Sequence, residues 1–204
     1  MSKLTREQWD DFFDGEFMCR LHASIAELDN MSRCHISYSG FVEEADQYFD
    51  SPIEAAIVWA CLNSDSNYYG VDCHFLPNPA NFTMQQALAA FDLTCADASC
   101  VLFYGPRNKL MLIPQFQLGQ YRLDFLAIGR DWYGHPDHNG PVKVFAVECD
   151  GHDYHERTKE QAARDRSRDR AIQRAGLPVL RFTGSEIYAD PLKCAEEVWR
   201  FIGR

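Results

Sequence analysis

The chain has 204 residues, 46% hydrophobic and 25% charged, with a formal net charge of −10. That length suits one domain with room for a helical extension, and the composition excludes disordered, collagen-like and coiled-coil chains. With no apolar run of ~18 residues and no apolar leader core after Met1, the expectation is a soluble, cytoplasmic protein that does not span a membrane.

Residues 5–29 carry Trp9, Phe12, Phe13, Phe17, Leu21, Ile25 and Leu28 at spacings of three and four, which predicts an amphipathic helix broken near Gly15. A second helical stretch covers about 41–63. Its later part opens on Ser51-Pro52-Ile53-Glu54, read as a capping box with proline in the first turn. Residues 64–82, rich in Asn, Asp, Ser and Pro, read as loop, and Thr83 to Phe91 as a short helix. The period then shortens. Ser99–Tyr104, Leu110–Gln117, Gln120–Ile128 and Val142–Val147 read as strands, with turns at 105–108, at Leu118-Gly119 and over 129–141. A helix from about Arg157 to Ala175 is stopped by Gly176. Leu177–Phe182 is a further strand, with Pro178 suggesting an edge, and 191–202 a closing amphipathic helix.

Charge is unevenly spread. Residues 1–150 hold 9 basic and 21 acidic residues, whereas 151–204 hold 11 and 9. A basic strip on an acidic body suits a phosphodiester ligand; a solvated helix with Arg/Asp pairs fits equally. The eight cysteines form no C-x-x-C pair and mostly sit in apolar runs, so they read as reduced, buried thiols. His135 and His138 have no cysteine pair beside them, which argues against zinc.

Two strands end in carboxylates. Asp124 lies in Tyr121-Arg122-Leu123-Asp124-Phe125, and Glu148 and Asp150 flank Cys149 at the end of the next strand. If these strands are neighbours, Asp124 meets Glu148 across the ladder, and something positive must offset the repulsion. An all-oxygen cluster suits Mg²⁺ or Mn²⁺. The alternative is a buried Asp124 satisfied by an arginine, with Glu148 and Asp150 belonging to a turn.

In order, Ser51-Pro52-Ile53-Glu54, Ile113-Pro114-Gln115, Tyr121 to Phe125, Val147 to His155, Arg164 to Arg170 and Gly176 to Phe182 resemble the PD-(D/E)XK nuclease superfamily, within it the branch around the very-short-patch-repair endonucleases. The resemblance implies an α/β, restriction-endonuclease-like core of helix, three-stranded meander, helix and strand over 51–204, with residues 1–50 as a helical N-terminal extension. It implies a metal-dependent endonuclease acting on DNA and leaving a 5′-phosphate and a 3′-hydroxyl. Asp124 and Glu148 would be metal ligands, the Cys149 carbonyl would complete the shell, and Glu54 would hold a metal-bound water.

One departure concerns the usual lysine, which is Asp150 here. Lys159, His152, His155 and Gln115 are candidates for its role. His152 and His155 suit acid–base work, or are exposed turn residues. Arg157, Arg164, Arg168 and Arg170 are candidates for contacting phosphates, although Arg164/Arg168 and Asp165/Asp169 also form pairing stripes. Asp169 is a candidate partner of Arg181. Tyr154 suits base stacking or a rim position, and Trp59 and Trp199 read as core. A non-catalytic nucleic-acid-binding or assembly module on this fold and an RNA-directed nuclease or antiphage effector are the competing functions. The acidic residues 1–50 are a candidate surface for a protein partner.

Overall fold

A computed structural model describes residues 4–27, 38–63, 71–75, 82–96, 108–131, 140–151 and 159–203; side chains at 22–27, 38–40, 44, 71–75, 94–96, 108 and 159–162 fall outside that description. In chain order the elements are α1 (Arg6–Phe13), α2 (Glu16–Glu27), α3 (Tyr38–Tyr48), α4 (Pro52–Asn63), β1 (Val71–Phe75), α5 (Met84–Ala96), β2 (Asn108–Leu118), β3 (Tyr121–Arg130), β4 (Lys143–Asp150), α6 (Lys159–Arg174), β5 (Val179–Thr183), α7 (Gly184–Ala189) and α8 (Pro191–Ile202).

The strands form one sheet in the order β1-β2-β3-β4-β5. β2, β3 and β4 are an antiparallel meander, while β1 and β5 join its two edges in parallel. The meander follows from near-continuous apolar runs, buried on both faces, and a tight Gly119–Gln120 turn, where Gly119 takes φ 60. This is the helix, meander, helix and strand expected above, with β5 at an edge.

Helices cover both faces. On one face, Leu110, Leu112, Phe125, Ala127, Phe145 and Val147 pack against α4 and α8, and Trp9, Phe13, Met18 and Phe41 of α1–α3 join the same core. On the other, Met111, Ile113, Leu126, Ile128 and Ala146 pack against Ala87 and Phe91 of α5 and Ile172 of α6. α4 is buried from Ile53 to Asn63 on all sides, which explains why it lacks an amphipathic stripe. α8 shows the opposite pattern, burying Cys194, Ala195, Val198, Trp199 and Ile202 on one face. Asp190 caps it by accepting from the Lys193 N–H at 3.0 Å.

Several expectations change. The break near Gly15 separates two helices, α1 and α2, and the stretch over 41–63 is likewise two, α3 and α4. β1 lies inside the segment read as loop, because five residues among turn formers give little periodicity but find a ladder on β2. α5 runs past Phe91 to Ala96. α7 was not anticipated, although Thr183 and Glu186 form a reciprocal capping box at its start. The strand expected over 99–104 lies outside the described residues.

The feature that positions the site is a phase change in the meander. In β2, Leu112 faces α4, Ile113 faces α6, and three residues later Phe116 also faces α6. In β3, Leu123 and Leu126 share the α6 face across the same interval. The register is nevertheless constant on both sides, and only the opposed Gln115 and Asp124 drop out of the ladder. Gln115 has φ 51, a left-handed backbone that turns its side chain out of alternation. Among the described residues β1 ends opposite Leu112, so no described strand pairs with Pro114 on that side, where a ladder N–H would be needed.

Candidate active site

β3 and β4 are paired up to Phe125 and Val147, and the next opposed position is Asp124 beside Glu148. The two acidic strand ends therefore meet, as expected from the sequence. Asp124 Oδ2 accepts the Cys149 backbone N–H at 2.7 Å, a bond that takes the place of the missing ladder contact. Glu148 is 1% exposed. Burial above all, then the charge of Asp124, pushes its carboxyl up from 4.5 to about 8, against the opposing pull of Arg168. Burial raises the Asp124 carboxyl as well, opposed by the Cys149 N–H and by Arg168.

Glu54 enters from the α4 face. Its carboxylate accepts Ser51 Oγ at 2.7 Å, the Asp50 N–H at 3.2 Å and Gln115 Nε2 at 2.8 Å. The expected capping box is thus altered: the glutamate reaches back to the Ser51 hydroxyl and to Asp50. Burial first, and Asp124 second, raise Glu54 to about 8. The Gln115 side chain reaches the site only because of its left-handed backbone, and its Oε1 is buried without a hydrogen-bond partner among the described residues.

Arg168 turns toward the sheet: it is ion-paired with Glu148 Oε2 and donates to the Arg122 carbonyl at 3.1 Å. Glu148 Oε1 and Arg168 Nε are both buried without a partner among the described residues. The signal was present in the sequence: Arg168 lies one turn before Ile172, which is fully buried in α6, so both face the sheet. Asp150, at the end of the same strand, lies 3.5 Å from Arg181 Nε. Asp169 does pair with Arg181, at 3.0 Å.

Arg164 and Arg170 are exposed on α6. His152, His155, Tyr154 and Arg157 lie outside the described residues, as do His135, His138 and the side chain of Lys159. Of the four described thiols, Cys61, Cys149 and Cys194 are buried and Cys19 is exposed.

Among the described residues, no three His, Cys, Asp or Glu side chains converge as a ready ligand group. The phase change explains this, because Glu54 comes from the α4 face and Glu148 pairs toward α6, with Asp124 between them. The remaining donors still suit a hydrated hard cation: a buried Glu148 beside a half-buried Asp124, with Glu148 Oε1 and Gln115 Oε1 lacking hydrogen-bond partners among the described residues. A dehydrated all-protein cage does not fit.

The fold and the paired strand-end carboxylates define a restriction-endonuclease-like α/β protein. Residues 107–202 match the family model described as REase_MTES_1575, a restriction-endonuclease family, which supports a nuclease of that type. No curated protein and no solved structure matches the chain. No helix among the described residues is long and apolar enough to cross a membrane.

Proposed function

We propose that the protein is a divalent-cation-dependent DNA endonuclease, similar to the very-short-patch-repair branch and located in the cytoplasm, with residues 51–204 as its nuclease domain and 1–50 as a helical extension. The observation that carries this reading is the juxtaposition of half-buried Asp124 and buried Glu148 at two neighbouring strand ends, within the region matched by a restriction-endonuclease family.

Asp124 and Glu148 are the residues that would hold Mg²⁺ or Mn²⁺, with the Cys149 carbonyl as a further oxygen. When bound, such a cation polarises the phosphate and makes a bound water more acidic. The Cys149 N–H holds one oxygen of Asp124, which leaves the other as the oxygen that would bind a cation. Gln115 and Glu54 are joined at 2.8 Å and form a polar pair suited to orienting water. Arg164 and Arg170, exposed on α6, suit the flanking phosphates.

The test is nicking of supercoiled plasmid with Mg²⁺ or Mn²⁺ by the wild type, Asp124→Ala and Glu148→Ala. Cleavage by the wild type alone is expected, and equal cleavage by all three refutes the reading. A second reading, a non-catalytic nucleic-acid-binding module, is favoured by the Arg168–Glu148 pair and by Asp150 in place of lysine. It requires duplex binding with no carboxylate-dependent uptake of Mg²⁺ in calorimetry. Single-stranded RNA assayed in parallel separates an RNA-directed enzyme.

A further inference from the structure

Nucleases of this reading need a positive side chain near the phosphate, and position 150, where a lysine is expected, is an acid held by Arg181. Three arginines surround the carboxylates among the described residues. Arg122 is exposed and paired with Asp50. Arg181 lies between two carboxylates, Asp150 and Asp169, which balance its charge. Arg168 alone of the three reaches the Asp124–Glu148 centre.

Its placement is built in. α6 is tied to the sheet on both sides of Arg168, by Ser167 Oγ to Tyr121 Oη at 2.7 Å and by Asp169 to Arg181 at 3.0 Å. Between these ties the Arg168 guanidinium spans Glu148 and the Arg122 carbonyl, and its buried Nε has no partner among the described residues. A buried donor without an acceptor is costly and marks a group arranged for something else.

We propose that Arg168 is the cationic group of the reaction centre, contacting the phosphate under attack in place of the lysine missing at position 150. This assignment rests on the nuclease reading above. A guanidinium stays charged across the working pH range and presents a planar fork that matches phosphate oxygens. It cannot take the proton from water, so its role is to stabilise the charge that grows on the phosphate. The water oxygen bonds to phosphorus, the bond from phosphorus to the 3′ oxygen breaks, the water proton passes to solvent and a solvent proton completes the 3′-hydroxyl. Arg168 exchanges no proton in this sequence.

The experiment compares wild type, Arg168→Met, Arg168→Lys, and Arg168→Met combined with Asp150→Lys. Single-turnover cleavage with Mg²⁺ is measured beside anisotropy binding of a fluorescein-labelled DNA duplex in EDTA. Removing one preorganised donor is expected to slow Arg168→Met cleavage ~100-fold, with duplex affinity within ~3-fold of wild type. Arg168→Lys should retain part of the rate, and Asp150→Lys should return at least ~10-fold in the Arg168→Met background. If Arg168→Met melts early because buried Glu148 loses its hydrogen-bond donor, Arg168→Gln keeps a donor without the charge and carries the same comparison. Neutral variants that cleave at the wild-type rate overturn the assignment, as do rate and affinity falling by the same factor, or no rescue by Asp150→Lys. A wild type no faster than Asp124→Ala sinks the nuclease reading and this assignment with it, whereas a cleaving wild type with an equally fast Arg168→Met sinks this assignment alone.

Discussion

Without a divalent cation, the protein is expected to lose stability as pH rises through neutrality. Glu54 and Glu148 are both raised from 4.5 to about 8, chiefly by burial and next by Asp124. Between those values the folded protein keeps protons that the unfolded chain has released, so unfolding becomes more favourable as pH climbs. The stabilisation is complete below about 4.5 and is lost by about 8. Each retained proton gives a slope of ~1.4 kcal/mol per pH unit, so one carboxyl over this window amounts to roughly 5 kcal/mol. Against a total stability of ~5–15 kcal/mol for an ordinary domain, that is a large fraction. Urea melts in EDTA from pH 5 to pH 9 measure it. Glu148→Gln should flatten the slope by ~1.4 kcal/mol per pH unit, about one proton. Saturating Mg²⁺ should flatten it in the wild type, since a cation held by Glu148 replaces its proton. Stability that is constant or rises from pH 5 to pH 8 in EDTA refutes the reasoning.

Other expectations follow from the same geometry. Gln115→Gly should leave thermal stability nearly unchanged, because relief of a left-handed backbone worth ~1 kcal/mol offsets the lost bond to Glu54, while cleavage falls. Asp190→Ala should cost about 1 kcal/mol in denaturant melts through loss of the α8 cap, and Asp190→Asn much less. Trp199→Ala, at a position 0% exposed, should cost roughly 3–5 kcal/mol and be read as loss of the cooperative thermal transition at 37 °C. Arg164→Ala and Arg170→Ala should each reduce the salt slope of duplex binding by about 1 without altering sequence preference.

Much of the fold was legible because its signals are local. The α8 stripe, the stop at Gly176 and the apolar strands on either side of the Gly119 turn are set by residues within a few positions of one another. The pairing of Asp124 with Glu148 was legible for a related reason: adjacent strands joined in a meander bring their ends into register. The phase change at Gln115 and Asp124 was not, since a left-handed glutamine arises from tertiary packing and has no glycine to announce it. The inward aim of Arg168 was half-legible, given by its spacing from Ile172, but the charged composition of α6 suggests a solvated face. Thr183-Gly184-Ser185-Glu186 carried a capping signature for α7 that the adjoining apolar strand obscured.

A crystal structure of the protein grown with Mn²⁺ tests the central claim most directly, because the anomalous signal locates the ion without reference to activity. The account predicts a peak coordinated by Asp124 and Glu148 through the oxygen that now lacks a partner, with waters completing the shell and Arg168 still beside the site. An empty difference map there, with Arg168 fully engaged by Glu148 at saturating Mn²⁺, would contradict it.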